Sequence, residues 1–183
     1  MAKLHTPRWA WALTGSGHFF VESFALIREL RHCDVFVSKA ANEVLRMYKL
    51  KLDFPETTRV LHDKTASSVP VGGFYHGVYH TAVVAPASSN TVAKCVWGIS
   101  DTLPTNVFAQ AGKCRVPSIV FACDTAPELI TMAPHGPVKV YPRPIDLENT
   151  GRLKSFERTQ VVESLAELEA AIRSRRRELD GDG

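Results

Sequence analysis

Apolar positions along this chain switch between two rhythms, and the switches mark out strand, turn and helix units. Trp9 to Thr14 is a short apolar run ending at Gly15, Ser16 and Gly17. From Phe19 to Leu30 the apolar residues return at helical spacing, with Phe20, Phe24, Ile27 and Leu30 on one face. A strand, a glycine turn and a helix are predicted. Asp34 to Val37 predicts a second strand, and Ser38 can cap a helix carrying the stripe Ala41, Val44, Leu45 and Tyr48. This is the opening of a βαβ unit.

From about residue 51 to 75 the pattern weakens. Pro55, Ser67 and Ser68, Pro70, Gly72 and Gly73 interrupt it, and the segment reads as a long excursion. Thr81 to Ala85 predicts a third, buried strand, followed by a polar turn over 86–91 and a helix to about Trp97. Residues 104–112 suit a helix, Ser118 to Cys123 a fourth strand, and Val138 to Tyr141 a fifth, before Pro142 and Pro144 break regularity. A closing amphipathic helix is predicted over about 160–179, and no internal repeat is visible. The expected architecture is α/β, a Rossmann-like three-layer fold with a mostly parallel sheet. At 183 residues, 45% of them hydrophobic, the chain suits a single domain over 1–183 with a sizeable core.

Charge narrows the function classes. The formal net charge is only +3, and the basic run around Arg173, Arg175, Arg176 and Arg177 is flanked by Glu on a predicted helix. A solvated helix end explains it, and no nucleic-acid footprint is required. No stretch approaches the roughly 20 apolar residues of a membrane span. The first residues run into the strand-turn pattern without a signal-peptide cleavage site, so a cytoplasmic protein is expected. Cys33, Cys95, Cys114 and Cys123 form no C-x-x-C pair and suit reduced, mostly buried thiols, which argues against disulfides and against a metal site.

In an open parallel sheet, ligands bind beyond the carboxyl ends of the strands. Three such ends carry small or hydroxyl residues: Gly15, Ser16 and Gly17; Ser38 and Lys39; and Ser88, Ser89, Asn90 and Thr91. Glycine lets a backbone approach a phosphate, and amides at a helix start donate to its oxygens. Lys39 and the hydroxyls can complete such a shell. Helix capping explains any one of these turns alone; three at successive strand ends favour a ligand. A dinucleotide fits poorly, because Phe20 stands where the third glycine of G-x-G-x-x-G belongs. Asp34 has about the right spacing for a ribose contact but lies at the start of the second strand. Ser38 and Lys39, at its end, suit a mononucleotide phosphate.

The segment Pro86-Ala87-Ser88-Ser89-Asn90-Thr91-Val92-Ala93-Lys94, followed by Gly98-Ile99-Ser100-Asp101-Thr102-Leu103, resembles the signature of the homo-oligomeric flavin-containing cysteine decarboxylase family. The likeness runs in order from Gly15 to about Asp146. Val37 to Tyr48, Phe74-Tyr75-His76-Gly77-Val78-Tyr79-His80, Thr105 to Lys113 and Val140-Tyr141-Pro142-Arg143-Pro144 look like the archaeoflavoprotein and dihydromethanopterin reductase branch.

The resemblance implies non-covalent FMN in a Rossmann-like fold and a homo-oligomer built from trimers. It implies that Gly15, Ser16, Gly17 and His18 approach the flavin, with Ser38 and Lys39 at its phosphate or ribityl chain. Ala87, Ser88, Ser89, Asn90 and Thr91 would line the ring and phosphate, and Asp101 and Thr102 would close the far side. Asp101 is equally explained as a cap, Thr91 by packing of its methyl, and His18 by capping of the helix start. His76 and His80 stand near the active-site histidine of the family's decarboxylases and are the expected proton-handling pair, with a hydrogen-bonded histidine at a subunit contact as the alternative. Trp97 and Tyr141 are aromatics that could stack on a flat ring, with a place in the core or at an interface as the alternative.

Thr125 to His135 lacks the Pro-x-Met-Asn segment and downstream Met-Trp of those decarboxylases, which speaks against decarboxylation. The branch implies reduction of dihydromethanopterin to the tetrahydro form by hydride transfer from FMN that an external electron donor has reduced. An electron carrier served by a ferredoxin-like partner is the rival reading, and a decarboxylase of a cysteine-type substrate a weaker one.

Overall fold

The computed structural model describes residues 6–64 and 70–181. Eight strands and six α-helices follow one another: β1 (Arg8–Leu13), α1 (Phe20–Glu29), β2 (Cys33–Val37), α2 (Lys39–Met47), β3 (Arg59–His62), β4 (Tyr79–Ala87), α3 (Ser89–Val96), α4 (Leu103–Lys113), β5 (Ser118–Ala122), β6 (Leu129–Ala133), β7 (Gly136–Val140), α5 (Pro144–Leu153), β8 (Thr159–Val162) and α6 (Leu165–Gly181). A 3-10 helix (Pro70–His76) precedes β4. Six strands form one parallel sheet in the order β3-β2-β1-β4-β5-β8, and β6 and β7 form a separate antiparallel pair.

Alternation along β1 divides the core. Trp9, Trp11 and Leu13 pack with Phe20, Phe24 and Ile27 of α1, Leu45 of α2 and Leu168 and Ile172 of α6. Ala10 and Ala12 face the opposite layer, where Val92 of α3, Leu103 and Val107 of α4 and Leu153 of α5 lie. A sheet covered on both faces needs strands that are apolar on both, which is why β1, β2 and β5 read as continuous apolar runs. The buried indole of Trp11 donates from Nε1 to the Ala85 carbonyl of β4 at 2.7 Å, so its polar atom is not stranded. The expected three-layer, mostly parallel architecture is what the chain adopts.

Four local expectations change. The excursion contains β3, a half-exposed edge strand paired with β2, and the 3-10 helix; Ser67 and Ser68 lie outside the described residues. The predicted fifth strand is the second arm of the β6–β7 hairpin rather than a member of the main sheet. Pro144 starts α5 instead of ending regularity, since a proline at the first helical position removes only an amide that has no intrahelical partner. The closing helix begins at Leu165, and the β-branched pair Val161 and Val162 belongs to β8.

From β1 the chain moves outward through β2 and β3; from β4 it moves the other way through β5 and β8. The topological switch point is therefore the crevice between the carboxyl ends of β1 and β4, the place where such sheets bind ligands.

Candidate functional site

Two hydrogen bonds join the loops on either side of this crevice. The Thr14 hydroxyl donates to the Pro86 carbonyl at 2.7 Å and accepts from the Ser88 amide at 3.1 Å. Gly15 lies hard against α2: a Cβ there would stand 2.7 Å from Ala40 Cβ, so the first glycine is required by the protein's own packing. The result is a cleft of about 650 Å³. Gly15, Ser38 and Lys39 line one side, Ser88, Asn90 and Thr91 the other, and Asp101 and Thr102 the rim. Asp63, Lys64 and Lys94 join them, unforeseen from sequence.

The three helix starts at this cleft differ in what they leave open. At α2, Ser38 Oγ accepts from the Ala41 amide at 2.9 Å; among the described residues the amides of Lys39 and Ala40 have no acceptor. At α3, Ser88 Oγ accepts from the Thr91 amide at 3.4 Å and the Ser89 amide donates to Asp124 Oδ2 at 3.3 Å, which leaves the Asn90 amide open. At α4, Thr102 and Thr105 form a reciprocal capping pair, Pro104 has no amide, and the Leu103 amide donates to Asp63 Oδ2 at 3.0 Å. That third start is closed. Open amides at a helix N-terminus favour an anion, because the aligned peptide dipoles add to their partial positive charge.

The cations divide in the same way. Lys94 Nζ donates to both oxygens of Asp101, at 2.8 and 2.7 Å, so these two charges neutralise each other at the rim. Lys39 has no ion-pair partner among the described residues.

On the β5 side of the crevice, Ser16 donates to Cys123 Sγ at 3.4 Å, and burial pushes that thiol up to about 12. Gly17 sits under Tyr48 of the α2 end, whose hydroxyl donates to the Met132 carbonyl at 2.8 Å. His18 does not cap α1; Phe19, in the left-handed region at φ 64°, occupies the cap position with no side-chain bond. Ala87 ends β4, and its carbonyl accepts from the Cys123 amide at 3.1 Å. Ser16, Gly17, His18, Ala87 and Ser89 do not line the cleft itself: the first three follow Gly15 on the turn after β1, and Ala87 and Ser89 stand at the end of β4 and the start of α3. Asp124 was missed in the sequence because no local pattern distinguishes a turn aspartate from one that reaches another strand's helix.

The two histidines expected to handle a proton stand elsewhere. His80 lies at the amino end of β4, seven residues before Ala87, and the crevice is at the carboxyl end. Its Nδ1 pairs with Thr81 Oγ1 at 2.8 Å, its ring packs edge-on to Trp9, and Arg175 of α6 donates to its carbonyl and to the Thr81 hydroxyl. Burial, and then Arg175, push it down to about 4, so it is neutral at pH 7. His76 is exposed at the end of the 3-10 helix, just before β4 starts. Neither residue reaches the crevice of its own chain, because β4 carries its first residues to the opposite edge of the sheet.

Asp34 is also at that opposite edge. Its carboxylate is fully buried and accepts from Arg8 Nε at 2.6 Å, Arg59 Nε at 2.8 Å and the Tyr79 hydroxyl at 2.7 Å. Burial opposes its ionisation, but the bonds from Arg59, Tyr79 and Arg8 outweigh burial and hold it below the usual carboxylate range. It is a structural ion, not a ribose ligand. Trp97 and Tyr141 are exposed outside the cleft, and Arg152 covers the Trp97 ring at 4.6 Å.

The family model described as Flavoprotein matches residues 2–176. The chain is 54% identical to DmrB of Burkholderia xenovorans, crystallised in complex with FMN and described as a cubic protein cage for redox transfer; the match covers 95% of this chain and 97% of that one with a TM-score of 0.87. It is 38% identical over 142 residues to a dihydromethanopterin reductase (acceptor) of Methanosarcina mazei, covering 70% of this chain. The match spans 59% of that reductase, under two thirds of its length. A phenylacrylic acid decarboxylase from Aquifex aeolicus shares the fold, at 22% identity and TM-score 0.66 over 86% of this chain and 81% of that one.

Proposed function

This chain belongs to the flavoprotein family, and on that premise we propose that it binds FMN between β1 and β4 and reduces a dihydropterin of the dihydromethanopterin type. One observation carries the reading: the amides of Lys39, Ala40 and Asn90 and the Lys39 ammonium, none of which has a partner among the described residues, belong to the lining of one cleft. That donor set suits a phosphate monoester. A volume of about 650 Å³ falls in the range of roughly 300–1,000 Å³ typical of small-molecule sites. The 54% identity to a protein crystallised with FMN supports the same group.

In this reading Ser38 and Lys39 hold the phosphate with the α2 amides. Gly15, Ser16, Gly17 and His18 approach from β1, and Ala87, Ser88, Ser89, Asn90 and Thr91 from β4. Thr102 borders the rim, and Lys94 sets the position of Asp101 there. When bound, FMN supplies the two-electron chemistry. The chain orients the ring and leaves one side of the cleft open for the acceptor. Because His76 and His80 lie away from the crevice of their own chain, the proton for the pterin nitrogen comes from water entering that opening.

No helix among the described residues is long and apolar enough to cross a membrane. A cytoplasmic homo-oligomer built from trimers, served by an external electron donor, completes the proposal. The exposed apolar side chains Ile130, Met132, Tyr141 and Trp97 suit contacts between copies.

The purified protein is expected to be yellow, with flavin absorption. Photoreduced protein mixed anaerobically with a dihydropterin should reoxidise as the tetrahydropterin forms. Flavin that stays reduced removes the reductase reading, and reoxidation only by a ferredoxin-like protein replaces it with that of an electron carrier.

A further inference from the structure

His18 is held in a way that helix capping does not explain. Its ring packs against Phe19 at a tilt of 59°, with centroids 3.6 Å apart, and Phe19 rests on Phe121 of β5 at 4.7 Å. Its Nδ1 lies 3.3 Å from the backbone nitrogen of Met132 in β6, an N–H donor. The carbonyl of the same residue accepts from the Tyr48 hydroxyl at 2.8 Å. Gly17 makes room for this arrangement, since a Cβ there would come within 2.4 Å of the Tyr48 hydroxyl oxygen. One residue of the hairpin is therefore gripped from both sides, by His18 through its N–H and by Tyr48 through its carbonyl.

The grip fixes the chemistry of the imidazole. A ring nitrogen that accepts an N–H bond carries a lone pair, so the proton of the neutral ring is on Nε2. Protonating Nδ1 would set one N–H against another and break the hairpin contact. The charged groups around the ring are Glu22 of α1 and Asp124 after β5, both of which favour the imidazolium; burial outweighs them, and the pKa lies below its usual value. The Cys123 thiol beside Ser16 stays protonated and adds no charge. Among the described residues Nε2 has no hydrogen-bond partner. Among the described residues a neutral N–H is thus free on the turn whose first residue, Gly15, lines the cleft.

We propose that His18 is a positioning donor which presents Nε2–H to a ring nitrogen or carbonyl oxygen of the flat heterocycle in the crevice, with its tautomer set by the β6–β7 hairpin. This rests on the reading of the crevice as a flavin site. The bond stabilises negative charge that grows on the heterocycle as it takes up electrons, and no proton leaves the imidazole. The shared chemistry is a planar ring with in-plane acceptors, and two bound molecules could supply it, the flavin or the pterin.

The test uses FMN-loaded protein. Nitrogen-15 spectra at pH 7 should show His18 neutral, with Nδ1 bare and Nε2 protonated, and Tyr48→Phe should mix the tautomers by loosening Met132. His18→Leu should weaken binding by about two- to tenfold, the worth of one neutral hydrogen bond, and His18→Gln, which keeps an N–H donor, should recover most of it. If the acceptor is on the flavin, the loss appears in the FMN dissociation constant; if on the pterin, in KM for dihydropterin at unchanged FMN affinity. An imidazolium or an Nδ1–H tautomer at pH 7 overturns the proposal, as does His18→Leu protein that matches wild type in both constants. Wild-type protein that fails to reduce dihydropterin sinks the reductase reading, while the spectra and FMN affinity still decide the role of His18.

Discussion

The two edges of the parallel sheet are both rich in polar side chains, and they end in opposite states. At the amino edge the buried carboxylate is matched: Asp34 is enclosed by Arg8, Arg59 and Tyr79, and Arg175 ties Thr81 and the His80 carbonyl to α6. At the carboxyl edge the matching is incomplete. Among the described residues the starts of α2 and α3 keep open amides, and Lys39 has no ion-pair partner. Helix polarity accounts for part of this, since in a parallel α/β sheet all helix starts gather at the carboxyl edge and their first amides have no intrahelical partner. The contrast teaches that polar content does not identify a binding site; leftover hydrogen-bonding capacity does. Within the carboxyl edge the α4 start makes the same point, because Asp63 and the Thr102–Thr105 pair close it.

Disrupting the matched Asp34 cluster should have the largest effect. Asp34→Ala leaves two arginines without their buried carboxylate, and loss of one partner from such a pair costs about 3–5 kcal/mol. The urea midpoint should fall accordingly, while the remaining folded protein binds FMN as wild type does. Since the folded pKa of Asp34 is depressed, its contribution is present above the ordinary carboxylate value and disappears as pH falls through the lower folded value. An unchanged midpoint would erase the distinction between the edges.

Next in size is the open edge. Lys39→Met removes one charge-assisted bond, worth about 1.5–3 kcal/mol. FMN should bind roughly ten- to a hundredfold more weakly, riboflavin as before, and the urea midpoint should hold. Equal losses for FMN and riboflavin would show that Lys39 does not meet the phosphate.

A third effect, confined to acid pH, concerns His80. The unfolded chain takes up a proton near pH 6.5, whereas the folded protein resists protonation until about pH 4. Stability should therefore decline as pH falls across that window. His80→Gln should flatten the decline and leave FMN affinity unchanged; an unaltered slope would show that His80 is not the group responsible.

Most of the sheet was legible from local pattern: β1, β2, β4 and β5 are continuous apolar runs because both faces of each are covered. β3 escaped notice because an edge strand is half exposed and carries no strong period. β8 was absorbed into the following helix, since four residues are too few to set a period against seventeen. β6 and α5 were missed around prolines and alternating exposed residues whose partners lie on the other arm of the hairpin or across the layer. The turn residues of the cleft could be read from glycine, hydroxyl and capping chemistry at successive strand ends. His80 could not be placed, because a residue a few positions before a strand and one at its far end look alike until the strand's length and direction are known.

Periodicity and capping within a few residues were enough for β1, β2, β4 and β5, for the helices other than α5, for the mostly parallel layered architecture and for the three polar turns. Which polar groups remain unpaired was settled by long-range packing alone. That quantity depends on partners far apart in the chain: Asp63 closing α4, Asp124 reaching α3, Met132 turning His18 and α6 anchoring the strand that carries His80. Unmet hydrogen bonding is a property of the assembled neighbourhood, and no local pattern encodes it.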